Sequence, residues 1–199
     1  MTTDVMRSSA NNRSQWLVIA LTVIALLVGW GVRTSTEGAT RAVSEGGIQA
    51  ELPASWTVET PGAGTIGESP ADPNLVMIGS DPLDPGTRYS VSLYPEGSAA
   101  DLSAVAAIRN LQRAQYLTAY RVLEQTPVTV DGRDGYRVSF AYVDASEADK
   151  TPVVFEGVDY YFPDGEHAIV ATLETRNGLE DALTAFQEFA AALHMGDAQ

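Results

Sequence analysis

Few side chains in this sequence could carry out catalytic chemistry. The 199-residue chain has no cysteine, which excludes disulfides, thiolate metal sites and cysteine nucleophiles. Its two histidines are His167 and His194. Neighbouring acids could help His167 in acid–base work, and His194 lies where a histidine suits the C-terminal end of a helix. Because ordinary polar roles explain both, we expect no catalytic residue, no enzyme activity and no cofactor.

Two loops concentrate carboxylates, the ligands that hard cations prefer. Asp144, Glu147 and Asp149 lie in one loop, and Asp81 and Asp84 lie in another. Neither loop has the graded ligand spacing of a calcium motif. Acidic loops are also expected on an acidic protein, so we predict no metal site.

The composition sets the class of protein. Hydrophobic residues make up 45% of the chain and charged residues 19%, which is typical of a folded domain rather than a disordered or polytopic membrane protein. The 26 acidic residues outnumber the 12 lysines and arginines, for a net charge of −14. Because an acidic surface repels phosphate backbones, we predict no nucleic-acid partner.

Residues 16–32 form an apolar run without a charge, bounded near its ends by Trp16 and Trp30. As a helix this run is about 25 Å long, at the short end for a membrane span. A cleaved signal peptide is the alternative, but its apolar region is normally shorter and ends at small residues. Arg33 follows here instead, so we expect a retained single-pass transmembrane helix.

The charges that flank this run predict its orientation. Arg7 and Arg13 precede it, which by the positive-inside rule leaves the N-terminus in the cytoplasm and the rest of the chain extracytoplasmic. We therefore expect a cell-membrane protein in five parts. These are a cytoplasmic N-terminus (1–15), the span (16–32), a flexible tether (33–46), one exported domain (47–196) and a tail (197–199).

Small residues mark one side of the predicted span. Thr22, Ala25 and Gly29 recur at helical spacing, which allows another helix to approach closely. Small residues are also common in membrane helices, which is the alternative explanation. We take the three as candidates for contact with a partner.

Within the domain, several strands precede a helix predicted over residues 99–117, with Ser98 as its N-cap and Asp101 in its first turn. Its predicted core stripe consists of Ala104, Val105, Ile108 and Leu111, with Arg109 and Arg113 on the opposite side. Further strands follow, joined by turns at residues 131–135 and 163–165. The last helix has Asn177 as its predicted N-cap and buries Leu179, Leu183, Phe186, Ala190 and Leu193.

Two segments could contact partners from the surface of this domain. Residues 60–73 are rich in glycine and proline and are long enough for a functional loop. Strand alternation places Tyr161 on the face opposite Tyr160 and Phe162, so an exposed Tyr161 could anchor an interface. If both faces of the sheet are covered, Tyr161 is a core residue instead.

The domain resembles the PsbP-like family, named after an extrinsic subunit of photosystem II. The resemblance rests on the segment 130–138 (VDGRDGYRV), the hairpin at 163–165, the strand 168–173, the final helix and the opening segment 47–56. It implies an α+β fold in which a largely antiparallel sheet lies between helices, used for binding or assembly and without a catalytic signature.

Two functions remain open. One is a non-catalytic accessory or assembly subunit that contacts other subunits of a membrane complex, in respiratory or photosynthetic electron transfer. The other is a freestanding anchored cell-envelope domain that binds a lipid, glycan or other small ligand, which requires an apolar cavity between sheet and helix.

Overall fold

The computed structural model describes residues 16, 18–19, 21–26, 39–60, 72–145 and 151–196. The chain divides into two units, Met1–Thr40 and Arg41–Gln199. Of the first unit, residues 16, 18–19 and 21–26 are helical. Among the described residues, no helix has both the length and the apolar character that a membrane crossing requires. The rest of the predicted span, Gly29 included, lies outside the described residues.

The described chain from Thr40 onwards contains two antiparallel sheets and two helices. Its strands are β1 (Thr40–Glu45), β2 (Ile48–Pro53), β3 (Thr57–Glu59), β4 (Leu75–Asp81), β5 (Asp84–Tyr94), β6 (Thr118–Val130), β7 (Arg133–Asp144), β8 (Val153–Asp164), β9 (His167–Thr175) and β10 (His194–Met195). The helices are α1 (Leu102–Tyr116), preceded by a 3-10 turn at Ser98–Ala100, and α2 (Leu179–Ala191).

Seven strands form the main sheet in the order β3-β4-β5-β9-β8-β7-β6, with every neighbouring pair antiparallel. A second sheet has the order β1-β2-β10. Strand β1 corrects the predicted tether, because residues 40–45 pair with β2 rather than remaining free. Its sequence is polar, and Val43 is the residue that packs on the core, so hydrophobic alternation could not reveal this strand.

The helices cover opposite faces of the main sheet. Phe186 and Phe189 of α2 pack with Tyr160 and Phe162 of β8 in the larger core, which β2 also joins. Val105 and Ala106 of α1 pack on the other face in a smaller core. The predicted sandwich of an antiparallel sheet between helices is therefore confirmed.

The stripe predicted for α2 is also confirmed. Phe186, Ala190 and Leu193 are buried, and Leu179 and Leu183 pack against the same core. The predicted cap is wrong, because the residue before the helix is Gly178, with a φ of 96°. The side chain of Asn177 instead donates to both carboxylate oxygens of Asp84, at 2.9 and 2.8 Å.

The start of α1 also differs from the prediction. Asp101 is its N-cap, and its carboxylate accepts a hydrogen bond from the backbone N–H of Ala104 at 3.0 Å. Ser98 has another role, since its hydroxyl accepts from the backbone N–H of Ala168 at 2.8 Å. This contact ties the turn before α1 to β9 and so helps to place the helix on the sheet.

Candidate functional site

Helix α1 packs on the sheet through the side that the sequence assigns to solvent. Arg109 and Arg113 are 1% and 4% exposed, whereas Ile108 and Leu111 are 55% and 64% exposed. Val105 is the member of the predicted stripe that reaches the core. The predicted orientation of this helix is therefore wrong, and the reason lies in the strands beneath it.

Asp159 of β8 receives the buried arginines. Its carboxylate accepts two hydrogen bonds from the guanidinium of Arg113, at 2.6 and 3.2 Å, in the bidentate arrangement that arginine favours. It also accepts from the hydroxyls of Thr172, at 2.6 Å, and Tyr161, at 3.1 Å. The Nε of Arg109 lies 3.6 Å from the same carboxylate. One fully buried acid thus anchors the inner side of α1.

Arg109 has a second acidic partner in Asp72, which lies just before β4. One terminal nitrogen of Arg109 donates to the carboxylate of Asp72 and, at 3.0 Å, to the hydroxyl of Ser92. The other donates to the hydroxyl of Thr172 at 2.9 Å. We call Asp72, Arg109, Arg113 and Asp159 the charged cluster. Its two positive and two negative charges balance, as burial of ions requires.

Cation–π contact completes the surroundings of Arg113. Its guanidinium carbon lies 4.2 Å from the centre of the Phe140 ring, so the flat group is held between an aromatic face and a carboxylate. A second pair lies on the same side of the sheet, where Arg88 donates to Glu174 at 2.5 Å and to the hydroxyl of Tyr142 at 3.0 Å. Carboxylates and aromatic rings on this side of the sheet thus pair with arginine side chains.

Burial alone raises the pKa of Asp159, but the positive charges of Arg113 and Arg109 outweigh it and hold the pKa below its ordinary value. The same balance, with Arg88 as the main positive partner, lowers the pKa of Glu174. A carboxyl group with a lowered pKa in the folded state stabilises the fold above its unfolded pKa, near 4, and loses that effect as the pH falls through the folded value.

We therefore expect the free energy of unfolding to be insensitive to these two acids between pH 7 and 5 and to fall steeply below about pH 4. Urea unfolding at a series of pH values measures this. The Asp159→Asn variant should show a shallower fall below pH 4, since one of the two groups no longer titrates. An equal slope in both proteins would contradict the role given to Asp159.

The exposed side of α1 carries no charge. We define the outer α1 face as the exposed residues of this helix, which are Ser103, Ala104, Ala107, Ile108, Leu111, Ala114, Gln115 and Tyr116. Since the chain has a net charge of −14, a helix surface without a single charged side chain is unusual on it. Exposed apolar side chains in a group are typical of surfaces that contact another macromolecule.

The first unit also exposes apolar side chains. Seven large ones are between 49% and 71% exposed, namely Trp16, Val18, Ile19, Leu21, Val23, Ile24 and Leu26. The hydroxyl of Thr22 donates to the carbonyl of Val18 at 2.9 Å, within the same helical segment. Ala25 is exposed. The proposed contact role of Thr22, Ala25 and Gly29 stays a prediction.

Tyr161 is not a surface residue. It is fully buried under α1, with its ring in the smaller core and its hydroxyl on Asp159, and its burial raises its pKa. Alternation does place it opposite Tyr160 and Phe162, but both faces of the sheet are covered. The prediction of an exposed anchor at Tyr161 is therefore wrong.

The remaining candidates lie apart from this site. The Nδ1 atom of His167 donates to the carbonyl oxygen of Tyr94 at 3.0 Å, and His194 contacts the Gln49 side chain at 2.9 Å. Asp81 and Asp84 accept from backbone N–H groups two residues later and so shape a turn. In the described part of the chain, no three potential ligands come together for a metal ion. Residues 61–71 and the acids Glu147 and Asp149 lie outside the described residues.

A cavity of about 470 Å³ lies beside α2 and the β6–β7 turn. Its lining residues are Val130, Asp131, Gln187, Glu188, Ala191 and Ala192. The volume is in the range of ligand sites. Its wall mixes carboxylate and amide groups with small apolar residues, which differs from the apolar cavity that a lipid site requires.

Comparisons with known proteins address the fold. No family model matches the sequence, and no curated protein is similar to it. Among solved structures, that of cyanobacterial PsbP (CyanoP) from Synechocystis sp. PCC 6803 is similar with a TM-score of 0.56, at 14% identity over 79% of this chain and 93% of that one. The fold is PsbP-like. The resemblance stated from the sequence is confirmed at this level.

Two other structures are similar at lower scores. The Ran-binding protein Mog1p of Saccharomyces cerevisiae has a TM-score of 0.47 at 14% identity, over 80% of this chain and 96% of that one. LpqN of Mycobacterium tuberculosis, involved in cell envelope biogenesis, has 0.43 at 13% identity, over 80% and 91%.

The predictions from the sequence missed the burial of Asp159, of the two arginines of α1 and of Asp72. Only Asp159 leaves a signal in the sequence. Asp159 interrupts the apolar run of β8, and a charged residue in the middle of a buried strand needs a buried partner. Arg109 and Arg113, one helical turn apart and four and eight residues after Val105, were the available partners. Asp72, at the end of a long loop, carried no such signal.

Proposed function

We propose that this chain is a non-catalytic accessory or assembly subunit of a membrane protein complex, and that the outer α1 face is the contact of its PsbP-like domain with another protein chain. The observation that carries this proposal is the orientation of α1, which places its arginines on the sheet and leaves its apolar residues exposed. Exposed aliphatic and aromatic side chains without charge are suited to the desolvated centre of a protein interface.

The location belongs to the same proposal. Residues 16–32 anchor the chain in the membrane, with the N-terminus in the cytoplasm and the domain on the extracytoplasmic side. The uncharged run, the arginines before it and the exposed apolar side chains between Trp16 and Leu26 support this arrangement. The class of complex that the resemblance suggests is an electron-transfer complex of respiration or photosynthesis.

Solubilisation of native membranes in mild detergent, native-gel separation and mass spectrometry test the proposal. We expect the chain to migrate in fixed ratio with other membrane proteins. Replacing residues 16–32 by an unrelated transmembrane helix, as a second arm, separates the role of the span from that of the domain. Migration of the wild-type chain alone, near 21.2 kDa plus detergent, would contradict the proposal.

The cavity beside α2 supports a second candidate function, that of a freestanding anchored domain that binds a small ligand. Asp131 and Glu188 would favour a cationic or hydroxyl-rich compound over an anionic lipid. This function predicts that Ala191→Trp, whose larger side chain would fill the cavity, abolishes ligand binding and leaves native-gel migration unchanged.

A further inference from the structure

We infer that the outer edge of β6 is closed to pairing with a strand of another chain, and that Pro127 closes its longest regular part. The main sheet ends on β6, 13 residues long, at one edge and on β3, three residues long, at the other. Within the described ranges, no backbone group outside β7 hydrogen-bonds to the backbone of residues 118–130. A free edge of this length is a template for association with other extended chains.

The register with β7 shows which backbone groups of β6 point outward. Val130 and Arg133 flank a two-residue turn and therefore form a hydrogen-bonded pair, in which the two residues direct their N–H and C=O groups at each other. Such pairs alternate with pairs whose backbone groups point away from the partner strand. In the regular part of β6, the residues of this second kind are Thr129, Pro127 and Gln125. Since proline has no N–H, the middle one of the three offers no donor.

The acceptor at the same position already has a partner. The hydroxyl of Thr126 donates to the carbonyl oxygen of Pro127 at 3.2 Å. A strand added outside β6 would meet no N–H at Pro127, so one of its own carbonyl groups would stay unpaired within the ladder, which is unfavourable. Proline is tolerated in sheets where its nitrogen faces solvent from an edge strand, and the register places Pro127 in this way.

The N-terminal half of β6 is interrupted by bulges. The register with β7 shifts twice, and each shift inserts one extra residue into β6. The first lies at 119–120, where Ala119 has a φ of 52°, a left-handed conformation that is uncommon for a residue other than glycine. The second is Leu123. Bulges bend an edge strand and disrupt its ladder, so regular pairing is interrupted at 119, 123 and 127.

These interruptions leave pieces that are too short for ordinary strand pairing. Between them, the regular parts of the edge are residues 120–122, 124–126 and 128–130, whereas strands are usually about five or six residues long. Replacing Pro127 would join the last two pieces into one regular run over 124–130. Pro127 is therefore the single position whose replacement opens the edge. This inference goes beyond the proposed function and does not depend on it.

Pro127→Thr tests the inference, because threonine restores the N–H group and favours strands. We expect the purified full-length variant in detergent to self-associate at a protein concentration about tenfold lower than the wild-type chain, as measured by light scattering. The control is Pro152→Thr, since Pro152 is exposed and lies outside the strands. Unchanged association of Pro127→Thr, or an equal change in the control, would overturn the inference.

Residue-resolved hydrogen exchange locates the contact and also decides the matter if the variant does not fold. In the wild-type chain, the outward amides of Gln125 and Thr129 should exchange fast, whereas the amides of Thr126 and Val128, directed at β7, should be protected. In the associated Pro127→Thr chain, the two outward amides should become protected. Protection of both in the wild-type chain, or association of the variant that leaves both unprotected, would overturn the inference.

Discussion

Replacing Asp159 by asparagine is expected to lower the free energy of unfolding of the domain by about 3–5 kcal/mol. The change keeps the size of the side chain and removes the charge that Arg113 and Arg109 share. Two guanidinium groups, 1% and 4% exposed, are then left with Asp72 as their remaining acid in the charged cluster. Because a domain is typically stable by 5–15 kcal/mol, the loss is a large part of the total. Urea unfolding followed by circular dichroism measures it.

Glu156→Gln is the matched control for this substitution. It makes the same chemical change on the same strand, at a side chain that is exposed. We expect its effect to stay within about 0.5 kcal/mol. A comparably small loss for Asp159→Asn would mean that the cluster does not depend on the carboxylate charge.

Phe186→Ala is expected to cost about 3–5 kcal/mol, because it opens a cavity in the larger core. The side chain is fully buried, and its ring centre lies 5.0 Å from that of Tyr89 and 5.7 Å from that of Tyr160. The aromatic contacts of Phe186 with Tyr89 of β5 and Tyr160 of β8 are lost together. Thermal and urea unfolding measure the change.

The exposed Leu83 supplies the control, since Leu83→Ala removes an aliphatic side chain that is 90% exposed. Its expected effect is within about 0.5 kcal/mol. If Phe186→Ala proved as mild as Leu83→Ala, α2 would not be the covering helix of this face of the sheet.

Local patterns were sufficient to predict most of the fold. Alternation along β7 and β8, the turn at residues 163–165 and the apolar stripe of α2 all depend on neighbours within one element. Strand β1 could not be predicted in this way, because it pairs with β2 through its backbone and places one apolar residue, Val43, on the core.

The orientation of α1 depends on contacts between residues far apart in the sequence, which the periodicity of the helix does not reveal. Arg113 pairs with an acid 46 residues away, and Arg109 with one 37 residues away. Hydrophobic periodicity assumes that aliphatic residues face the sheet, which holds when the sheet surface is apolar. Here Asp159, Thr172 and Ser92 make that surface polar, so two paired arginines are the better fit.

Less of the candidate site than of the fold could be predicted, because the site also depends on contacts between distant parts of the chain. Tyr161 was singled out by its position on the strand, but exposure depends on whether a helix lies above it. Ile108 and Leu111 were recognised as apolar and were assigned to the core. An exposed apolar face and a buried one have the same sequence pattern. They are distinguished only by what the other side of the same helix contacts.

The most direct test of the proposed surface compares Leu111→Glu with Leu83→Glu in native membranes. Both substitutions place a carboxylate on an exposed leucine, 64% exposed at position 111 and 90% at position 83, and neither disturbs a core contact. The quantity measured is the fraction of the chain that migrates in a complex on a native gel. We predict that this fraction falls at least tenfold for Leu111→Glu and is unchanged for Leu83→Glu. Equal fractions for Leu111→Glu and the wild-type chain would contradict the assignment of the outer α1 face as the protein contact.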